Sequence, residues 1–262
     1  MISTPDIIKQ NMIHIMKQMS DSCPRMSFVE TPQAIRYESD LPHSLFNRII
    51  TYKGLKSDGA LNDIATIADH YQSSKRPFSW LIWSHDTEAV ELASVLEEQG
   101  LKKSGQSPGM SLSLTDWTYE APSIPNFEIK PIRTSSEFSW FKEIALPAFG
   151  LQGETGEVFM QVNESLALGE QAILRHFAGF LDGRPAGVVT AFQDGETIGI
   201  YNVATAGEYR RRGIGSALTA HAIREGQAAG GKLAVLQSSE MGVRVYRAMG
   251  FSEEVRIDFY MG

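Results

Sequence analysis

Cysteine is almost missing from this 262-residue chain: Cys23 is the only one. That excludes an intrachain disulfide and a cysteine-based metal cluster, and it fits a reducing compartment. No run approaches the ~18 apolar residues of a membrane span, so no membrane partner is expected. There is no basic excess either. Lys and Arg number 24 against 31 Asp and Glu, which gives a net charge of −7 and a pI near 5.4. Nucleic-acid binders carry a basic patch or stripe, so a nucleic-acid partner is not expected. A cationic or amine substrate is compatible with this balance. Residues Met1 to Met19 lack a continuous apolar core and include Asp6, Lys9, His14 and Lys17. They suggest an amphipathic helix rather than a signal peptide, and the cytoplasm is the expected location. No metal is expected.

Core material is present. Hydrophobic residues make up 42% and charged residues 21%, a soluble globular balance. The length suits two ordinary domains or one large one. The stretch Thr115–Phe127 holds Pro122 and Pro125, lacks periodicity and reads as a linker. It divides the chain into expected domains at 1–120 and 126–262.

Downstream of the linker the order of elements is clear. Phe127–Arg133 predicts a strand. Ser135 and Ser136 are set to cap a helix running to about Ala145 and stopped by Pro147, and Glu154–Leu168 predicts a second helix. Strands follow at Ala172–Leu181, Ala186–Phe192 and Thr197–Thr205, with Asp182-Gly183 and Asp194-Gly195 as turns. Then come a helix from Ile214 to about Ala229, a strand at Leu233–Leu236, a helix at Glu240–Met249 and a closing strand at Val255–Met261. The first half partly echoes this, with a helix at Asp58–Gln72, a strand at Phe78–Trp83, a helix at Thr87–Gln99 and a strand at Met110–Leu114. A diverged internal duplication accounts for the echo.

The most informative stretch is Arg210-Arg211-Arg212-Gly213-Ile214-Gly215-Ser216, which joins an apolar strand to a helix. A glycine-rich turn at a helix start can hold phosphate on backbone N–H groups. No Lys follows Gly213 or Gly215, so the nucleoside-triphosphate loop pattern is missing. The dinucleotide pattern needs a third small residue where Leu218 stands, and an acid where the next strand ends in Gln237-Ser238.

Arg210-x-x-Gly213-x-Gly215 after an apolar strand resembles the acetyl-CoA loop of the GNAT acyltransferase superfamily. The segment from Ser239 to Phe251, with Tyr246 four residues before Gly250-Phe251, resembles that family's later helix. The wording Tyr201–Thr205 and Leu236–Ser239 resembles a bacterial subgroup with a degenerate N-terminal partner. The resemblance covers about Phe127–Gly262. It implies an α/β (α+β) fold, the acyl-CoA N-acyltransferase fold, with a mixed, mostly antiparallel central sheet flanked by helices, in two tandem GNAT-like domains. It implies that Arg210 to Ser216, with Arg211, Arg212 and Ile214, cradle the pyrophosphate, the side chain of Arg211 being expected to face solvent, and that pantetheine lies beside the strand ending at Thr205. It implies a backbone N–H near Val203 or Ala204 as the oxyanion donor, and Tyr246 as proton donor to the leaving sulfur. Ser239 stands where many relatives carry Asn; it either meets the pantetheine arm or caps the helix.

Around the acceptor, Asn202 either lines the channel or hydrogen-bonds within the core. Glu154 and Glu157 either attract an amine or begin a solvated helix. His176 and His221 are expected to be surface or structural, and Glu196 to lie far from the thioester. The expected function is transfer of an acetyl group from acetyl-CoA to a small primary amine by direct attack, with the N-terminal copy bracing the fold or closing the acceptor site. The rivals are an acyl-CoA-binding module without turnover and a scaffold protein. A homodimer is left open.

Overall fold

The computed structural model describes residues 2–169 and 172–262. In chain order the elements are α1 (Thr4–Asp21), β1 (Met26–Glu30), β2 (Ala34–Ser39), β3 (Arg48–Tyr52), α2 (Ala60–Ser73), β4 (Ser79–Trp83), α3 (Ala89–Glu98), β5 (Lys102–Ser113) and β6 (Phe127–Ile132). They continue with α4 (Phe138–Phe149), α5 (Gly153–Leu168), β7 (Leu174–Leu181), β8 (Arg184–Asp194), β9 (Thr197–Thr205), α6 (Ile214–Ala228), β10 (Leu233–Gln237), α7 (Val243–Ala248) and β11 (Ser252–Met261). Of the helix expected over Met1–Met19, Met1 lies outside the described residues. These elements make a mixed α/β fold with mostly antiparallel sheets flanked by helices, as the motifs imply.

The chain forms two compact units, and they do not follow it in order. One holds Met1–Met12 and Met110–Glu253; the other holds Ile13–Gly109 and Glu254–Gly262. The closing strand belongs with the first-half unit because β11 pairs antiparallel with β4, from Ile257↔Trp83 to Met261↔Ser79.

In the unit holding Met110–Glu253, β6, β7, β8 and β9 pair antiparallel in sequence and β10 runs parallel to β9. The β7–β8 hairpin turns at Asp182-Gly183, where both residues take positive φ (50° and 77°), as a tight two-residue hairpin turn requires. Phe177, Val189, Ile198, Ile200, Leu218 and Leu236 build its core, with α6 packed on β8 and β9. The other unit pairs β1 with β2 and β2 with β3 antiparallel, and β3 with β4 parallel. Its core joins Ile49, Ile64, Trp80, Ile82 and Leu96 to a stacked Tyr71–Phe78 pair, centroids 4.8 Å apart.

Three local expectations change. The serines do not cap α4; instead the Glu137 carboxylate accepts the N–H groups of Arg133 (2.7 Å) and Thr134 (3.1 Å) ahead of it. Pro147 does not stop α4, because in the last turn it deprives the helix of only one bond, and the end comes at Gly150 in the left-handed region (φ 66°). The helix expected over Glu240–Met249 is α7 alone, since Ser239–Gly242 makes a turn closed by Gly242 N–H to Ser239 C=O at 2.9 Å.

Candidate functional site

The ladder between β9 and β10 is short. It runs from Leu233↔Thr197 to Val235↔Gly199, while β9 continues to Thr205 and β10 to Gln237. Beyond Gly199 the edge of β9 offers backbone N–H and C=O groups that must find another partner. On its other side β9 stays paired with β8, through a bulge. Val188 faces Ala204 and Thr190 faces Tyr201, so Asn202 and Val203 together oppose Val189. Asn202 takes φ 51°, a left-handed conformation that Asn tolerates better than most residues. Bulges of this kind bend a strand and re-aim its side chains.

After Thr205 a single 3-10 turn (Gly207–Tyr209) leads to the three arginines. Gly213 is the N-cap of α6 at φ 83°, and no side chain caps the first turn. The leading N–H groups of α6 are thus open to an anion. At Gly215 an added Cβ would meet only Thr205 Oγ1 at 3.8 Å and Val203 at 3.9 Å, so the glycine leaves room above the backbone rather than relieving a clash. Arg210 Nε lies 3.4 Å from the Thr205 carbonyl.

These segments line one cavity of about 580 Å³. Asn202, Val203, Ala204, Thr205, Arg210, Arg211, Gly213, Ile214, Gly215, Ser216, Ser239 and Tyr246 all face it. Three expected residues do not. Arg212 lies over the Tyr209 ring, 5.7 Å from its centroid. Glu154 and Glu157 are exposed on α5, away from the cavity. Arg211, by contrast, reaches in, because its φ of 63° turns the backbone at that residue. Sequence reading missed Ala148 and Phe149 at the end of α4, Met241 just before α7 and Val245 within it. Phe149 stands just before the helix-ending Gly150, which is the signal that was available. Tyr201 also lines the cavity, with its hydroxyl donating to Asn11 Oδ1 at 2.7 Å.

Tyr246 is set by close packing. An added Cβ on Gly242 would fall 2.9 Å from the Tyr246 ring and 2.8 Å from Ser238 Oγ. The ring meets Phe251 edge-on at 5.7 Å, and Phe251 N–H closes the helix on the Tyr246 carbonyl at 3.0 Å. Burial pushes the phenol up to about 12, so it stays protonated and can donate. No side chain caps α7, which leaves Ser239 as a lining residue rather than a cap.

Asn202 does both things expected of it as alternatives. It lines the cavity, and its Nδ2 donates to Thr190 Oγ1 (3.1 Å) and Asn163 Oδ1 (3.3 Å) in the core. His176 is structural: it is 1% exposed, lies edge-on to Phe138 and Phe141, and is pushed down to about 3 by burial. His221 packs on Phe177 and is also lowered by burial. Glu196 pairs with Lys232 at the surface at 2.6 Å.

Comparison with known proteins bears on the family and the fold. Residues 141–251, from within α4 to just past α7, match the model of the acetyltransferase (GNAT) family. The fold is that of a GCN5-related N-acetyltransferase from Kribbella flavida (TM-score 0.67, 18% identity, covering 95% of this chain and 94% of that one). It is also that of a GCN5-related N-acetyltransferase from Sphaerobacter thermophilus (TM-score 0.66, 15% identity, 88% and 80% covered). A tandem GNAT protein from the clavulanic acid biosynthesis pathway matches over 100% of this chain and 96% of its own, with TM-score 0.62 and 13% identity. No curated protein matches the chain.

Proposed function

We propose that this chain, which belongs to the GNAT acetyltransferase superfamily through residues 141–251, transfers the acetyl group of acetyl-CoA to the primary amine of a small molecule by direct attack. One observation carries the reading. The end of the β9–β10 ladder, the uncapped start of α6 and a buried, protonated Tyr246 meet in a single cavity. The residues fit the cosubstrate. N–H groups at the start of α6 suit the pyrophosphate, with Arg210 and Arg211 adding charge-assisted contacts. The free edge of β9 suits the amide-bearing pantetheine arm. A backbone N–H at Val203 or Ala204 polarises the thioester carbonyl and stabilises the oxyanion that develops there.

The chemistry balances with few groups. The amine nitrogen bonds to the thioester carbon, the carbon–sulfur bond breaks, and the nitrogen loses a proton. Tyr246 holds a proton toward the sulfur, which leaves as a thiol. The proton lost from nitrogen restores the Tyr246 phenol through water, so an amine that enters neutral requires no dedicated base. Free-thiol release from acetyl-CoA across a panel of primary amines tests the reading. Release is expected with at least one amine, and Tyr246→Phe should lower kcat about a hundredfold without weakening acetyl-CoA binding. Acetyl-CoA at a hundred times its Kd should stabilise the fold by about 2.7 kcal/mol. Stabilisation without turnover would make the protein a binding module; neither would make it a scaffold.

A further inference from the structure

The bulge residue Asn202 ends a chain of hydrogen bonds whose direction is fixed from inside the core. Its far end is the carbonyl of Phe159 in α5, which can only accept. Asn163, fully buried, donates Nδ2 to that carbonyl at 2.8 Å. That commits the Asn163 amide and turns its Oδ1 toward Asn202, 3.3 Å away. Asn202 must therefore present Nδ2, which also donates to Thr190 Oγ1 at 3.1 Å. Thr190, fully buried and paired across the sheet with His176, keeps its own hydroxyl proton to give to His176 Nδ1 at 2.8 Å. With the Thr190 hydroxyl donating, the imidazole proton falls on Nε2. Burial pushes this ring down to about 3, which keeps it neutral.

With Nδ2 committed twice, Oδ1 is the polar atom of Asn202 that remains for a ligand. Asn202 is only half-buried and lines the cavity beside Val203 and Ala204. We infer that Asn202 Oδ1 accepts a hydrogen bond from the attacking amine, and that Asn163, Thr190 and His176 are positioning residues that hold the amide in that orientation. The inference rests on the acetyl-transfer reading above and adds to it the group that orients the acceptor. An amine nitrogen bonded to Oδ1 keeps its lone pair for the thioester carbon. A free amide could rotate and offer a donor instead, which would repel an N–H.

The left-handed bulge allows a clean variant. Asn202→Gly keeps φ 51° without strain and removes the amide. It should raise the amine KM about tenfold or more, the cost of a lost hydrogen bond at a desolvated site, with the acetyl-CoA Kd unchanged. Thr190→Val keeps shape but removes the hydroxyl, and should raise KM by a smaller factor; Thr190→Ser should restore it. Ring-nitrogen NMR of His176 gives a readout independent of turnover, with the Nε2–H tautomer expected in the wild type and redistribution in Thr190→Val. Wild-type thiol release with an unchanged amine KM in Asn202→Gly overturns this inference alone, as does an Nδ1–H tautomer in the wild type. No release by the wild type with any amine defeats the functional reading, and this role with it.

Discussion

Each unit contains a parallel strand pair that parts after a short ladder, and the two pairs end differently. In one, β9 and β10 separate after Gly199 and a cavity of about 580 Å³ follows. In the other, β3 and β4 pair at Arg48↔Ser79 and Ile49↔Trp80, and the fully buried Trp83 donates its indole N–H to the Ile50 carbonyl at 2.9 Å. A side chain there supplies the donor that a strand, or a ligand amide, would otherwise give. The loops diverge in the same way. Gly59 is the N-cap of α2 at φ 89°, nearly the conformation of Gly213 at 83°. Yet two residues on from Gly59 stands Leu61, where the other loop has Gly215. The Glu88 carboxylate accepts the N–H groups of Gly54 and Leu55, both at 3.0 Å. An uncapped helix start behind a left-handed glycine occurs in both units. In one it borders the cavity; in the other the Glu88 carboxylate holds the loop ahead of it.

The largest effect should come from Trp83→Ala, which leaves a cavity and an unpaired Ile50 carbonyl and should cost about 3–5 kcal/mol in denaturant unfolding. Calorimetric titration should still find one acetyl-CoA per chain; two would mean that the indole alone had closed a second site. Next, Arg210→Ala with Arg211→Ala should weaken acetyl-CoA binding about a hundredfold, the worth of two charge-assisted contacts in a partly exposed loop. Lys53→Ala with Lys56→Ala, in the matching loop, should leave binding unchanged. Equal losses from both pairs would erase the difference between the loops.

Acid should act on the unit that holds His176. This histidine is neutral when folded down to about pH 3, whereas an unfolded one protonates near 6.5. Between those values the unfolded state binds more protons, so stability rises with pH and falls as pH drops. From pH 6.5 to 5 the loss should approach about 2 kcal/mol, and His176→Gln should flatten that slope in thermal melts. A slope unchanged by the variant would show that His176 is not the group responsible. The smallest effect belongs to Glu88→Ala, expected to cost about 1 kcal/mol. If inorganic pyrophosphate then restored the melting temperature, the loop would prove to be a latent anion site.

The loop from Arg210 to Ser216 and the Tyr246-to-Phe251 segment were legible because they rest on backbone conformation and short spacing, which glycine and turn residues reveal directly. The β1, β2 and β3 strands were not. Glu38 is 7% exposed, held by Tyr71 and Arg36, and such inward charges break the alternation that marks a strand. The choice between Arg211 and Arg212 turned on one positive φ, which three consecutive arginines cannot disclose. Asn202 was legible as a candidate, but its anchoring by Thr190 and Asn163 depends on residues 12 and 39 positions away.

The membership of β11 carries a consequence for synthesis. The strand that pairs with β4 lies in Glu254–Gly262, made only after the whole of the other unit. While the ribosome works, the earlier half therefore waits with an open sheet edge, and the later half can complete its own packing first. A gene cut at the proline-bearing linker would yield a fragment that lacks its closing strand and another that carries a strand with no sheet to join.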